Sequence, residues 1–188
     1  RWHRWPLLWQ LRNTRLVAHA LTHAHPDHQG ASHAVCTRFG VPFWSGAADA
    51  SAVENGRTVD LLPDRLSNRV LNRLTAGPPH RVTRMLHEGD RVGDFTVIET
   101  PGHTPGHVSL WREADRTLIL GDVLANNHPV TQVPGLIEPL VRFTLDPALN
   151  RRSARKVADL RPRLVCFGHG PPLRDTDHFR AFVDRLPD

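Results

Sequence analysis

Short apolar stretches alternate with polar turns that contain glycine or proline along most of the chain. Brief apolar runs that end in such turns are typical of buried strands, and longer stretches with apolar positions three to four residues apart are typical of helices. We predict strands at 16–22, 41–44, 85–86, 91–92, 95–99, 107–112, 117–120 and 164–167. We predict helices at 29–39, 47–54, 147–160 and 177–186. This order of elements predicts an α/β fold of two sheets covered by helices.

Two segments interrupt the pattern. Residues 57–80 are polar with scattered leucines, and we predict a helical insertion or lid there. Residues 125–147 contain several prolines and no apolar periodicity, which is typical of a long functional loop. Since 188 residues suffice for one sizeable core, we predict a single domain over residues 1–188, with these two segments as lids or substrate loops.

The strand at 16–22 leads directly into a cluster of histidines and aspartates. His23 and His25 are two residues apart, so in an extended segment both side chains point to the same side. Asp27 and His28 follow the bend at Pro26 and can face a second point. The segment therefore offers ligands to two adjacent metal ions, with a histidine-rich surface turn as the alternative.

Further candidates follow later strands. His103 and His107 lie in one glycine-rich turn, and their spacing does not decide which of them is a metal ligand. Asp122 follows the strand at 117–120, where it is either a helix cap or a bridging carboxylate. His169 stands between two glycines after the strand at 164–167. Because ligands at the ends of neighbouring strands converge, we predict that these residues meet the first cluster.

Composition strengthens the prediction of a metal site. The chain has 13 histidines, and histidine is the commonest metal ligand among side chains. A net charge of +5 is compatible with nucleic-acid binding, but the arginines are scattered, so we expect a solvated basic surface. Two cysteines exclude a disulfide scaffold, and no apolar stretch is long enough for a transmembrane helix.

Taken in order, these motifs resemble those of the metallo-β-lactamase-fold hydrolases. The resemblance is carried by the segment 22–28, the turn around His103, the Gly121-Asp122 pair and the turn 168–170. The chain is similar to the glyoxalase II-like branch, without that branch's helical C-terminal domain. The resemblance implies an αβ/βα four-layer sandwich of two mixed sheets flanked by helices. We also expect that N-terminal strands of the first sheet are missing from the chain.

The resemblance also implies a ligand set, which favours His103 over His107. The first metal ion would bind His23, His25 and His103, the second would bind Asp27, His28 and His169, and Asp122 would bridge both. A hydroxide between the metals would be the nucleophile, and Asp27 would orient it or take its proton. Two divalent ions are implied, with Zn²⁺ expected and Fe or Mn as alternatives.

The implied function is that of a dinuclear metal hydrolase acting on a small ester, thioester or lactone. A mononuclear iron persulfide dioxygenase is one alternative, because it needs only two histidines and one carboxylate. A basic nucleic-acid-binding module or nuclease of the same fold is another. The chain has no tyrosine, which argues against homoserine-lactone lactonases, and Cys166 is not in a ligand position, which argues against the best-known zinc β-lactamases. We expect a small-molecule substrate, a cytoplasmic location, and neither a membrane nor a nucleic-acid partner.

Overall fold

A computed structural model describes residues 4–128 and 131–188 of the chain, and within them seven α-helices and ten strands occur. The helices are α1 (Arg4–Leu11), α2 (Pro26–Gln29), α3 (Ser32–Phe39), α4 (Ala47–Glu54), α5 (Leu66–Thr75), α6 (Pro147–Ala158) and α7 (Thr176–Asp184). The strands are β1 (His19–Ala20), β2 (Phe43–Gly46), β3 (Arg84–Leu86), β4 (Arg91–Val92), β5 (Phe95–Glu99), β6 (Val108–Arg112), β7 (Thr117–Gly121), β8 (Ala125–Asn127), β9 (Pro134–Ile137) and β10 (Leu164–Phe167). Positions 1–3 of the predicted domain and 129–130 of the predicted loop lie outside the described residues.

The strands form two larger sheets and one small ladder. The first sheet has the order β1-β2-β3 with parallel pairing, as expected where helices separate consecutive strands. The second sheet has the order β10-β7-β6-β5-β4, in which β10 is parallel to β7 and the other pairs are antiparallel. The prediction of two mixed sheets is therefore corrected in one respect, because the first sheet is wholly parallel in the described residues.

Three apolar clusters show how these sheets are layered. One cluster packs α3 and α4 on the first sheet and includes Cys36, Phe43 and Val53. A second, with Leu86, Val97 and Val108 at its centre, contains side chains from both sheets and so lies between them. The third packs α6 and α7 on the outer face of the second sheet. Helices, sheet, sheet and helices follow one another, which confirms the predicted four-layer αβ/βα architecture.

The segment 125–147 is the main departure from the predicted elements. It contains the antiparallel ladder of β8 and β9 and a 3₁₀ turn at Val141–Phe143, where the sequence predicts only an irregular loop. Pro134 begins β9, and proline is tolerated there because both strands of a two-stranded ladder are edge strands. In the other predicted lid, a 3₁₀ turn at Thr58–Leu61 precedes α5, so that segment is helical as predicted.

Smaller departures concern boundaries. The helix predicted at 29–39 is observed as α3 and begins only at Ser32. Gln29 instead ends the separate helical turn α2, which Pro26 begins. The strand predicted at 16–22 pairs only at His19 and Ala20. Beyond its end, the carbonyl of Thr22 accepts a hydrogen bond of 2.8 Å from the backbone N–H of Val108, which is the start of β6. This bond joins the two sheets next to the first histidine cluster.

Candidate metal centre

The seven residues predicted as ligands follow strand ends at one edge of the two sheets. His23 and His25 follow β1, while Asp27 and His28 lie on α2 directly after them. His103 lies between β5 and β6, Asp122 follows β7, and His169 follows β10. The structure brings all seven together in three groups, and within each group the nearest ligand atoms lie within 4.8 Å of one another. Two of these groups are called here the inner group (His23, His25, His103) and the outer group (Asp27, His28, His169).

Asp122 lies between the two groups. Its Oδ2 atom is 3.8 Å from Nε2 of His23 and 3.7 Å from Nε2 of His103 in the inner group. The same oxygen is 3.4 Å from Nε2 of His28 and 3.3 Å from Nε2 of His169 in the outer group. One carboxylate oxygen thus lies within 3.8 Å of four imidazole nitrogens, two from each group.

Hydrogen bonds leave one nitrogen of each inner histidine facing the centre. Nε2 of His25 donates to the carbonyl of Leu61 at 2.9 Å, so its Nδ1 keeps the lone pair. Nδ1 of His103 lies 3.1 Å from the hydroxyl of Thr144, which itself donates to the carbonyl of Leu140 and therefore accepts from the imidazole. Nδ1 of His23 lies 3.2 Å from the hydroxyl of Thr22. Partners of this kind orient histidine ligands in metal sites.

Several buried atoms in the centre have no hydrogen-bond partner. They are Nε2 of His23, Nε2 of His103 and Oδ1 of Asp122. An unpaired buried polar atom costs about 1–3 kcal/mol. Nε2 of His23 and Nε2 of His103 lie 3.8 Å and 3.7 Å from the same oxygen, Oδ2 of Asp122, so one shared partner could satisfy both nitrogens. A divalent cation meets that need, because neutral imidazole and carboxylate are the donors that zinc, iron and manganese accept. The residues present therefore fit the metal ions that the sequence predicts.

The electrostatics of the inner group favour lone pairs over protons. Burial lowers the pKa of His23 and His103 well below the ordinary histidine value, and it also lowers the pKa of His25. All three imidazoles are therefore neutral at pH 7. A neutral imidazole offers its lone pair to a metal ion without first releasing a proton.

The outer group behaves in the opposite way. Hydrogen bonds to Asp122 and Asp27 raise the pKa of His169 to about 10. Burial opposes the charged form of His28, but the neighbouring carboxylate of Asp122 outweighs it and raises the pKa of His28. Burial likewise opposes ionisation of Asp27, yet its hydrogen bond with His169, at 3.0 Å, lowers its pKa to about 2. A cation at this end must displace a proton from imidazole.

The structure separates the two histidines of the glycine-rich turn. His103 joins the inner group, whereas His107 is fully buried beside it. Nε2 of His107 accepts the backbone N–H of Asp122 at 3.0 Å, so its Nδ1 carries the proton and donates to Thr100 at 2.8 Å. Burial lowers the pKa of His107 to about 3, which keeps this tautomer neutral. His107 therefore positions the backbone that carries Asp122.

Asp49 is a residue of the centre that the sequence did not reveal. It lies on α4 with no exposed surface, and its carboxylate accepts three hydrogen bonds. These come from the N–H of Ala24 at 3.0 Å, the hydroxyl of Thr104 at 2.7 Å and the N–H of Gly106 at 2.7 Å. Ala24 stands between His23 and His25, and Thr104 follows His103. Asp49 therefore ties together the two loops that carry the inner group.

Close packing around Asp122 explains a glycine in the last motif. A Cβ atom on Gly168 would overlap Oδ1 of Asp122 and meet the ring of His28. The backbone N–H of Gly168 also donates to the carbonyl of Gly121 at 2.9 Å. Because glycine has no side chain, the backbone after β10 can approach Asp122 closely and place His169 in the outer group.

The centre opens into a cavity of about 390 Å³. Both predicted lid segments contribute to its wall, with Leu62 and Leu71 from 57–80, and Ile137 and Phe143 from 125–147. Its lining also includes five residues of the metal centre, namely His25, Asp27, His103, Asp122 and His169. A concave site of this size with a few convergent polar groups is typical of a small-molecule site.

Such a site, between two sheets in an αβ/βα sandwich, defines a class of metal-dependent hydrolases. Residues 6–169 match the family described as the Metallo-beta-lactamase superfamily. The chain therefore belongs to the metallo-β-lactamase superfamily, a hydrolytic family whose members bind divalent metals. The predicted family and the prediction of a metallo-hydrolase are both confirmed at this level.

Individual relatives agree with this placement. The chain is 30% identical over 187 residues to the probable metallo-hydrolase YflN of Bacillus subtilis, covering 92% of this chain and 70% of the relative. It is 32% identical over 107 residues to the hydroxyacylglutathione hydrolase GloC of Haemophilus influenzae, covering 55% of this chain and 48% of the relative. Among solved structures, it is similar to TTHA1623 in a di-iron-bound form, with a TM-score of 0.70 and 28% identity over 90% of this chain and 78% of that one. The second of these relatives supports the predicted similarity to the glyoxalase II-like branch.

No helix within the described residues is both long and apolar enough to cross a membrane.

Proposed function

We propose that the chain is a dinuclear metal-dependent hydrolase of small esters, thioesters or lactones. The observation that carries this proposal is the single oxygen of Asp122 at 3.3–3.8 Å from four imidazole nitrogens, at the end of a cavity. The inner group would hold one ion, the outer group the other, and Asp122 would bridge them. Two similar proteins support this proposal: GloC is named a hydroxyacylglutathione hydrolase, and the structure of TTHA1623 is of a di-iron-bound form.

When bound, the ions lower the pKa of water towards 7 and polarise the scissile carbonyl. The chain's own residues then provide the remaining functions. Asp27 lines the cavity with its side chain 54% exposed, so its carboxylate can orient the attacking water and accept its proton. Leu62 and Phe143 line the same cavity and offer apolar surface to the rest of the substrate. Overall, water adds to the acyl carbon, the C–O or C–S bond breaks, and a carboxylic acid leaves with an alcohol or thiol.

The test is to load the metal-free protein with Zn²⁺, Mn²⁺ or Fe²⁺, count metal atoms per chain and assay esters, thioesters and lactones. We expect two ions per chain and metal-dependent hydrolysis. Asp122→Asn keeps the size of the side chain and is expected to lower kcat/KM by more than about 100-fold, beyond what loss of a supporting residue causes. Hydrolysis that survives this substitution would contradict the proposal. One bound iron with oxygen consumption on a persulfide would instead support the dioxygenase alternative.

A further inference from the structure

We infer that the cavity selects substrates with a neutral, apolar acyl or alkyl group and discriminates against anionic ones. This inference rests on the proposed function, because it places such a group beside a hydrolytic centre. It deepens that function by naming the class of substrate. It also separates the chain from an enzyme specialised for glutathione thioesters, whose glutathionyl part carries carboxylates.

The first observation is the composition of the cavity lining. Among the described lining residues, the ionisable ones all belong to the metal centre. Most of the others are apolar, among them Leu62, Leu71, Ile137, Pro139, Leu140 and Phe143. A substrate whose scissile carbonyl reaches Asp122 must therefore place its remaining groups against apolar side chains.

The second observation concerns charge. Among the described residues that line the cavity, none is lysine or arginine, and the remaining polar ones are Thr75, Asn127 and Gln132. Arg142 is a neighbour in sequence of the wall, but it is exposed, and its guanidinium lies 4.6 Å from the centre of the Phe143 ring. An anionic group placed against the apolar lining, away from the imidazoles and the proposed ions, would lose its hydration without meeting a cation, which is costly. The lining thus disfavours a carboxylate at the far end of the substrate.

The third observation is that the two lid segments supply the apolar wall together. Leu71 and Leu74 lie on the same helix, α5, but only Leu71 lines the cavity. Leu74 is 62% exposed and Leu71 is 39% exposed, so neither substitution to alanine empties the core. A second pair lies in the 3₁₀ turn at Val141–Phe143. There Phe143 lines the cavity, whereas Val141 does not line it and is 62% exposed. The chain therefore offers two matched pairs of cavity and control positions.

The expected size of the effect follows from hydrophobic transfer. Each methylene moved from water onto an apolar wall strengthens binding about fourfold. Affinity and kcat/KM should therefore rise about fourfold for each methylene until the cavity is filled. Shortening Leu71 or Phe143 should remove about fivefold or more of this gain for the longest ligand and little for the shortest.

Binding is measured first, because it does not depend on catalysis. The metal-free and the zinc-loaded protein are titrated by ligand-observed NMR with butanamide, hexanamide and octanamide. We expect affinity to rise with chain length. Leu71→Ala and Phe143→Ala should flatten the dependence on length, whereas Leu74→Ala and Val141→Ala should keep it.

Hydrolysis is measured second, with neutral acyl thioesters of the same lengths, with an octanoyl-length thioester whose acyl chain ends in a carboxylate, and with a hydroxyacylglutathione. Because hydrolysis requires the thioester at the centre, we expect the terminal carboxylate to lower kcat/KM more than about tenfold. Affinity that does not rise with length, or a kcat/KM for the carboxylate-bearing thioester as high as that of the neutral one, would overturn the inference. Faster hydrolysis of the glutathione thioester than of the neutral thioesters would overturn it as well. Length-dependent binding without hydrolysis of any ester, thioester or lactone would support the inference and contradict the proposed function, so the two failures are distinct.

Discussion

The inner and outer groups of the metal centre both contain histidines, but the surroundings of these histidines differ. The side chains of His23 and His103 are 0% and 3% exposed, and burial keeps them neutral. His169 and Asp27 are 43% and 54% exposed, and they hold each other in charged form. Burial therefore keeps the inner imidazoles neutral, so their lone pairs are available to a cation. Ion pairing in the outer group instead holds a proton on His169, which a cation would have to displace.

The two groups should therefore differ in how strongly they bind a cation. The inner group has its imidazoles already neutral and oriented by Leu61 and Thr144, so a cation there replaces nothing. The outer group must lose a proton and the ion pair of His169 with Asp27. We therefore expect tight binding of the first ion at the inner group and weaker, exchangeable binding of the second.

The largest effect should come from removing one ligand from each group in turn. His103→Gln should weaken the tighter ion more than about 100-fold, since even loss of a supporting residue costs 10–100-fold. His169→Gln should leave the tighter ion in place and weaken only the second. Competition with a chelator measures both affinities, and His178→Gln, at an exposed position, is the control. If both ligand variants lost the same ion, the distinction between the groups would be wrong.

A smaller effect should come from Asp49, whose carboxylate hydrogen-bonds to the two loops that carry the inner group. Asp49→Asn replaces one accepting oxygen with an NH₂ group. This group cannot accept a hydrogen bond from the N–H and hydroxyl groups that now donate to Asp49. We expect the tighter ion to bind 10–100-fold more weakly, as for other residues that orient metal ligands. The second ion should be affected far less. Titration of both ions in Asp49→Asn, with the exposed Asp64→Asn as control, measures this difference.

The pH dependence should differ between the groups. The pKa of His169 is raised to about 10, so at pH 7 it holds a proton that a cation must displace, and binding strengthens as pH rises. The affinity of the second ion should increase about tenfold per pH unit per displaced proton between pH 6 and 8. The tighter ion should respond less, because burial holds the pKa values of its histidines low. Calorimetry in buffers of different ionisation enthalpy counts the protons, and equal release from both sites would contradict this expectation.

The smallest effect should come from a single hydrogen bond. Thr144→Val removes the acceptor of the His103 Nδ1 proton at 3.1 Å while keeping the shape of the side chain. A net contribution of about 1 kcal/mol corresponds to about fivefold weaker binding of the tighter ion. The second ion serves as the internal control, since its affinity should not change.

The elements that the sequence predicts well are those with strong local signals. Helix α4 and the strands β5 and β10 have the predicted bounds, because apolar runs between clear turn residues leave little choice. The first histidine cluster was predicted for the same reason, since all four of its side chains lie within one short segment. Local pattern therefore predicted most strands and the start of the site.

Other features depend on contacts between distant residues and leave no local signal. Asp49 looks like an ordinary polar position of α4, and only the folded chain brings Ala24 and Thr104 to it. The residues alone did not distinguish His103 from His107, because the difference is made by the backbone of Asp122. The ladder of β8 and β9 was missed since its prolines favour irregular structure.

The hydrogen bond between Thr22 and Val108 has a consequence for how the molecule holds together. It connects the N-terminal half of the chain, which carries His23 to His28, with the C-terminal half, which carries His103 to His169. Ions bound by ligands from both halves would close a loop over most of the chain and restrict the unfolded ensemble, much as a long-range disulfide does. Unlike a disulfide, this cross-link would be reversible by chelation, so resistance to proteolysis should rise and fall with metal in both halves together.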